Sequence, residues 1–150
     1  MTAMTEVELA AKRARLSGRI SGDGQPTPTR GVNHIAIEVW DLERSLDFYC
    51  GLLGFPLMNV TANRDEPLST HVNVDIGGSM ALSLFDFPHL DRVASEGAGG
   101  VMHIAIAADK GRVEEARQRL DEAGRPYQQI GGNLYFPDPD GLTLEFCLTE

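Results

Sequence analysis

The chain has 150 residues and a mass of 16.3 kDa, which is room for one domain or for two small modules that share one core. Its net charge of −9 disfavours nucleic acid as a partner, because an acidic surface repels phosphate backbones. No apolar run approaches the roughly 20 residues of a membrane helix, and the two cysteines form no disulfide or zinc pattern, so we expect a cytoplasmic protein without a membrane partner.

The first predicted element is a short helix within residues 1 to about 20, with a weak apolar stripe. A Gly/Pro-rich linker is expected at 22–28, which would make this helix an appendage that either contacts a partner subunit or moves independently. We therefore predict a helical arm with its linker at 1–30 and a folded domain at 31–150.

From residue 33 the pattern predicts a strand, a helix and three further strands. NHIAIEV alternates as a half-buried strand does, and Asp41 is a candidate N-cap for a helix that ends at Gly54. The three strand-like runs that follow are FPLMNVT, STHVNVDIG and MALSLFDF. Residues 86–100 are rich in turn formers and are predicted as a loop.

The same order then repeats in the second half of the chain. MHIAIAA predicts a strand, RVEEARQRLDEAG a helix, and PYQQI, NLYF and LTLEFCL three more strands. The tetrapeptide His-Ile-Ala-Ile stands at 34–37 and again at 103–106, which indicates a duplicated module. The predicted fold class is α+β, with two tandem βαβββ modules at about 31–87 and 100–149 whose eight strands curl around one cleft.

Each module has one helix, which can cover one face of its strands. The strongly apolar faces are expected under the helices, where burial stabilises by about 25 cal/mol per Å². These faces carry Ile35, Ile37, Val39, Val72, Val74, Ile76, Met102, Ile104, Ile106, Leu142, Leu144 and Phe146. The opposite faces carry polar and small residues and are therefore predicted to line a binding site.

Three residues on these polar faces form a candidate metal-binding set. His34 and His103 occupy equivalent positions of the duplicated strands, and Glu145 on the last strand faces the same way. Two imidazoles and one carboxylate can hold a divalent ion and leave up to three coordination positions open. A single strand histidine is more often a hydrogen-bonded polar residue than a ligand, but matched positions in a repeat favour a metal site.

The segments NHIAIEVWDLERSLDFYCGLLGF, MHIAIAA and YFPDPDGLTLEF resemble the vicinal oxygen chelate superfamily over roughly residues 31–149. This superfamily includes glyoxalase I, extradiol dioxygenases, methylmalonyl-CoA epimerases, fosfomycin-resistance enzymes and bleomycin-binding proteins. The resemblance places the family's metal ligands at His34, His103 and Glu145. It also implies a small-molecule substrate and, since small members often pair, a homodimer.

Ser83 distinguishes among the reactions that the resemblance implies. Glyoxalase I usually has Glu at this position of the fourth strand and epimerases have Gln, whereas serine is too weak a base to remove a carbon-bound proton. A His/His/Glu set without a fourth group resembles the extradiol ring-cleaving dioxygenases. Tyr135 then matches their proton-transfer tyrosine. His71 is the candidate for their histidine, because Gly78 and Ser79 stand at its usual place.

The sequence therefore predicts a metal-dependent enzyme, most similar to an Fe(II) extradiol-type dioxygenase acting on a small molecule with vicinal oxygens. The same ligand set accepts Mn, Ni, Co or Zn. Two alternatives stay open: a glyoxalase-like lyase, isomerase or transferase of the same superfamily, and a non-catalytic protein that binds or sequesters a small molecule such as an antibiotic. Metal content and oxygen uptake distinguish the three.

Overall fold

The computed structural model describes residues 5–20, 29–87, 90 and 97–150. The linker predicted at 22–28 and part of the loop predicted at 86–100 lie outside the described residues. The chain divides into two compact units, Met1–Gly31 and Val32–Glu150. In the described residues, no helix is both long enough and apolar enough to cross a membrane.

The first unit contains helix α1, Glu6–Ser17, where the sequence predicts a helix. A capping box fixes its start, because the Thr5 hydroxyl accepts a hydrogen bond from the Glu8 N–H and the Glu8 carboxylate accepts one from the Thr5 N–H. These bonds lower the pKa of the Glu8 carboxyl. No residue of α1 is buried, so local capping rather than packing defines this helix.

The second unit consists of two βαβββ modules, as the sequence predicts. The first contains β1 (His34–Val39), α2 (Leu42–Leu46), a π-helical segment (Asp47–Leu52), β2 (Leu57–Ala62), β3 (Thr70–Gly77) and β4 (Met80–Asp86). The second contains β5 (Ile104–Ala108), α3 (Lys110–Glu122), β6 (Gln128–Ile130), β7 (Asn133–Pro137) and β8 (Thr143–Leu148). Their sheets have the orders β1-β4-β3-β2 and β5-β8-β7-β6, and only the first pair in each is parallel.

The strand registers show which positions of the two modules are equivalent. Ser83 on β4 pairs with Asn73 on β3, and Glu145 on β8 pairs with Tyr135 on β7. Because each pair occupies the same place in its sheet, Ser83 corresponds to Glu145 and Asn73 to Tyr135. The duplication has therefore kept the sheet geometry while changing the chemistry of these side chains.

Helix α2 begins where the sequence predicts and continues into an unexpected π-helical segment. The Asp41 carboxylate caps α2 by accepting a hydrogen bond from the Arg44 N–H at 2.9 Å. The π-helical segment contains Phe48 and Tyr49, which are consecutive and both buried. Gly54 follows with a φ of +74°, and a Cβ there would lie 3.0 Å from the guanidinium of Arg119. Glycine at this position therefore permits both the turn and the close contact.

The core lies between the helix-covered faces of the two modules. Buried aliphatic side chains from β3 and β4 of one sheet and from β7 and β8 of the other belong to one hydrophobic cluster. Aromatic pairs cross between the modules, with ring centroids 6.3 Å apart for Phe48 and Phe136 and 6.1 Å apart for Phe55 and Phe146. Since strand residues alternate between faces, the polar faces lie on the outer sides of the two sheets.

One residue expected in this core lies elsewhere. Met102 is 64% exposed and lies before β5, which begins only at Ile104. Val101 beside it is also exposed, as is Val32 just before β1. Exposed apolar residues therefore precede both candidate histidines, His34 and His103.

The turn between β7 and β8 of the second module forms side-chain contacts with the first module. Tyr49 donates a hydrogen bond to Asp138 at 2.9 Å, and Arg44 forms an ion pair with Asp140. Asp138 also accepts hydrogen bonds from the backbone N–H groups of Asp140 and Leu142. Burial raises the pKa of the Asp138 carboxyl above its ordinary value even though these hydrogen bonds oppose the shift, and burial also raises the pKa of Tyr49.

Candidate metal centre

The polar face of the second module brings two of the predicted ligands together. His103 Nε2 lies 3.0 Å from Glu145 Oε2. Ala105 of β5 pairs with Glu145 of β8, and His103 precedes Ala105 by two residues, so alternation places the His103 and Glu145 side chains on the same face of the sheet. The Glu145 side chain is only 6% exposed. An imidazole nitrogen and a carboxylate oxygen are common ligands of first-row divalent ions.

The second oxygen of the Glu145 carboxylate accepts two hydrogen bonds. Tyr135 donates to Oε1 at 2.5 Å, and the Asn133 side-chain amide donates to the same atom at 2.6 Å. The Tyr135 ring also lies edge-on to the His103 ring, with centroids 5.9 Å apart. The hydrogen bond to Glu145 raises the pKa of the Tyr135 phenol above its ordinary value.

Asn133 is a site residue that the sequence analysis missed. It lies two residues before Tyr135 on β7, so the two side chains are on the same face of the strand. That spacing was a signal available in the sequence. Residue type alone nevertheless does not identify an asparagine on a strand as a site residue. Only the pairing of β7 with β8 shows that the Asn133 amide reaches Glu145.

The third predicted ligand, His34, lies on the polar face of the first module. Its Nδ1 is 2.9 Å from the Asn33 side-chain oxygen. The histidine lines a cavity of about 480 Å³ together with His71, Ser83 and Phe85. All the residues that line this cavity belong to the first module, so His34 and the His103–Glu145 pair occupy separate places in one chain.

A hydrogen-bonded network of polar side chains connects several residues that line this cavity. Ser83, which is 3% exposed, donates to Asn73 Oδ1 at 2.5 Å, and Asn73 in turn donates to Asn59 at 3.0 Å. His71 Nε2 lies 3.3 Å from the same Asn73 oxygen, and its ring stacks on Phe85 at 4.2 Å. The first-module equivalent of Glu145 is therefore a hydroxyl group that already donates to an amide.

Within one chain the three predicted ligands do not meet. Among the described residues, no group of three or more His, Cys, Asp or Glu side chains is arranged to hold a metal ion. His103 and Glu145 lie together on the polar face of the second module, and His34 lies on the polar face of the first. The complete three-residue set stays a prediction.

The donor chemistry of the second module fits a divalent ion. Glu145 is a buried carboxylate that lies against the His103 imidazole and accepts hydrogen bonds from Asn133 and Tyr135. Burying a carboxylate is costly unless a cation compensates its charge. A metal ion bound beside Oε2 and His103 would supply that compensation.

Comparison with known proteins identifies the family. The model of the Glyoxalase/Bleomycin resistance protein/Dioxygenase superfamily matches residues 31–146, and the chain belongs to this superfamily. Members typically bind a divalent metal ion. The family resemblance and the two-module α+β fold that the sequence predicts are both confirmed.

Three relatives each match about three quarters of this chain. The uncharacterized protein YwkD of Bacillus subtilis is 33% identical over 77% of this chain and 94% of its own length. Catechol-2,3-dioxygenase of the same species is 29% identical over 76% of this chain but only 40% of its own length. Metallothiol transferase FosB of Lysinibacillus sphaericus is 30% identical over 78% of this chain and 81% of its own.

Solved structures agree with this assignment. A glyoxylase/bleomycin resistance protein/dioxygenase domain from Frankia superposes with a TM-score of 0.71 at 20% identity, over 81% of this chain and 99% of that one. Glyoxalase I of Leishmania major gives a TM-score of 0.67 at 25% identity, over 80% of this chain and 87% of that one. Because different activities share the fold, the choice among them depends on the site.

Proposed function

We propose that this protein is a metal-dependent enzyme that acts as an extradiol-type dioxygenase on a small molecule with two vicinal oxygens. The observation that carries the proposal is the contact between His103 and Glu145, combined with a serine at the first-module equivalent of that glutamate. A centre with a single carboxylate ligand keeps coordination positions open for substrate and oxygen.

The residues that would hold the ion are His34, His103 and Glu145. A bound divalent ion, with Fe(II) favoured over Mn, Ni, Co or Zn, would supply Lewis acidity and open positions for two substrate oxygens and O₂. Ser83 is small and donates its hydroxyl proton to Asn73, so it leaves space beside His34 and offers no base for proton abstraction.

Two further residues are proposed to move protons. The Tyr135 phenol oxygen lies against Glu145, and His71 lines the same cavity as His34. The His71 ring also stacks on Phe85, which restricts the orientation of the imidazole. General acid–base help of this kind is worth roughly 10²–10⁴-fold in rate.

We further propose that the complete centre forms between two copies of the chain. His34 and the His103–Glu145 pair lie on sheet faces that point away from one shared core. Among the strands that the structure describes, β1 and β5 each pair with only one other strand and so leave an open edge. Exposed Val32, Val101 and Met102 would be covered if β1 of one copy lay beside β5 of the other. Twofold symmetry would then generate two identical centres.

The test is metal content followed by oxygen consumption. Protein purified without chelator should contain a first-row metal, and Fe(II)-reconstituted protein should consume O₂ with at least one catechol. His103→Ala and Glu145→Ala should lose both properties. Isomerisation of the methylglyoxal–glutathione adduct without oxygen uptake would instead establish a glyoxalase-like activity, and ligand binding without metal would establish sequestration; either result would overturn the proposal.

A further inference from the structure

We infer that Asn133 and Tyr135 act together as positioning residues that restrict Glu145 to a one-oxygen metal ligand. Oε2 is presented to the ion, and Oε1 is withheld from it. This inference rests on the proposed metal centre and concerns how the second module shapes that centre before any ion binds.

The two oxygens of Glu145 have different surroundings. Oε1 accepts hydrogen bonds from Tyr135 at 2.5 Å and from Asn133 at 2.6 Å, whereas Oε2 lies 3.0 Å from His103 Nε2. A carboxylate oxygen has about two lone-pair directions, so two short donors occupy those of Oε1. Only Oε2 therefore remains to bind an ion beside His103.

Strand pairing fixes both donors. Tyr135 lies directly opposite Glu145 in the register of β7 and β8. Asn133 is two residues away on the same face, and its side-chain oxygen accepts a hydrogen bond from the Leu148 N–H at 3.0 Å. That bond determines which end of the amide faces Glu145, because an N–H donor requires the oxygen and leaves the NH₂ group for the carboxylate.

The duplicated module shows that this arrangement is not a general property of the sheet. At the equivalent positions of the first module, Asn73 accepts a hydrogen bond from Ser83, and His71 lies beside it. The direction of the hydrogen bond is thus reversed where the carboxylate is replaced by a hydroxyl. Only the second module, among the described residues, combines a buried carboxylate with two donors on one oxygen.

The consequence concerns the number of open coordination positions. A six-coordinate ion held by two imidazoles and one carboxylate oxygen keeps about three positions open, whereas a bidentate carboxylate would occupy one of them. A substrate that binds through two oxygens together with O₂ needs three positions. The hydrogen bonds to Oε1 would therefore preserve the position that an extra carboxylate contact would block.

The experiment uses the full-length protein and Mn(II) as the probe. Asn133→Ala and Tyr135→Phe each remove one donor to Oε1, and each should weaken Mn(II) binding about 10-fold in a chelator competition. Infrared difference spectra, metal-bound minus metal-free, should show the Glu145 carboxylate bands moving closer together in both variants, as the carboxylate becomes bidentate. Glu145→Gln identifies those bands, and Gln129→Ala, which removes an amide side chain from the exposed strand β6 of the same module, should match the wild type.

A second variant separates positioning from the contact with the backbone. Asn133→Asp keeps the acceptor for the Leu148 N–H but replaces the donor to Glu145 by a second carboxylate oxygen. It should also weaken Mn(II) binding. Wild-type affinity and wild-type carboxylate bands in the Ala and Asp variants would overturn the inference, as would tighter binding by the Asp variant. Failure of the wild type itself to bind Mn(II) would instead overturn the proposed function.

Discussion

Ser83 and Glu145 occupy equivalent positions in the two sheets but have opposite hydrogen-bonding roles. The Glu145 carboxylate accepts two hydrogen bonds on one oxygen, while the Ser83 hydroxyl donates one to Asn73. Exchange of a single side chain at this position therefore changes how many carboxylates the proposed centre contains. The proposal of oxygenase rather than isomerase chemistry rests on this difference.

Replacing Ser83 by glutamate should convert the proposed centre into one with four protein ligands. The new carboxylate would lie on the strand beside His34, because Ala36 of β1 pairs with position 83. We expect Ser83→Glu to bind metal more tightly and to suppress oxygen consumption, since it occupies an open coordination position. Chelator competition and an oxygen electrode measure the two effects.

Ser83→Ala is the matched control for this substitution. It removes the hydroxyl and its hydrogen bond to Asn73 without adding a donor, so it should not tighten metal binding. Equal tightening by alanine and glutamate would show that loss of the hydroxyl, and not the added carboxylate, causes the effect, and would contradict the prediction.

At the scale of elements, the turn between β7 and β8 depends on the π-helical segment of the other module. Tyr49 is fully buried and donates a hydrogen bond to Asp138 across the junction. Tyr49→Phe keeps the ring but leaves a buried carboxylate oxygen without this donor, which should lower the free energy of unfolding by about 1–3 kcal/mol. Urea denaturation measures this; an unchanged midpoint and slope would contradict it.

The same junction should give the stability a specific pH dependence. Burial raises the pKa of the folded-state Asp138 carboxyl, so protonation of Asp138 favours folding. This contribution is present below the ordinary carboxyl pKa, near pH 4, and is lost as the pH rises through the raised value. Asp138→Asn stays neutral, so its stability relative to wild type should increase as the pH rises. A difference that is constant or falls with rising pH, in urea titrations, would contradict this.

Local patterns were sufficient to predict most elements and both modules. The repeated His-Ile-Ala-Ile segments lie where β1 and β5 form, and Asp41 caps α2 as expected. The π-helical segment was not predictable, because it depends on burying Phe48 and Tyr49 together against the other module. Asn133 was missed for a related reason: its role arises from the pairing of two strands that lie apart in the sequence.

At the scale of the whole molecule, the same alternating pattern fits two assemblies. The polar faces could enclose a cleft within one chain or meet between two chains. Both arrangements require the same three residues, His34, His103 and Glu145. Which arrangement forms depends on how the modules pack, and here Phe48 and Phe136 lie in a shared core on the opposite sides of the sheets. Local patterns do not contain this information.

A shortened chain tests which residues are needed for association. The family match begins at residue 31, and the second compact unit begins at Val32. If 31–150 is the functional domain, a chain starting at residue 31 should bind as much metal as the full chain. Light scattering should show it as a dimer, because β1 and β5 supply the proposed contact. A monomer that still binds metal would contradict the proposed assembly.

Mixing inactive variants distinguishes a centre within one chain from a centre between two. In a dimer of one His34→Ala chain and one His103→Ala chain, one proposed centre has both defects and the other has all three ligands. When subunits exchange freely, half of the dimers are mixed, so roughly a quarter of the wild-type metal content should return. His103→Ala mixed with Glu145→Ala should recover none, because each centre then takes a defective pair from one chain. Elemental analysis after co-expression measures both mixtures, and a centre within one chain would give no recovery in either.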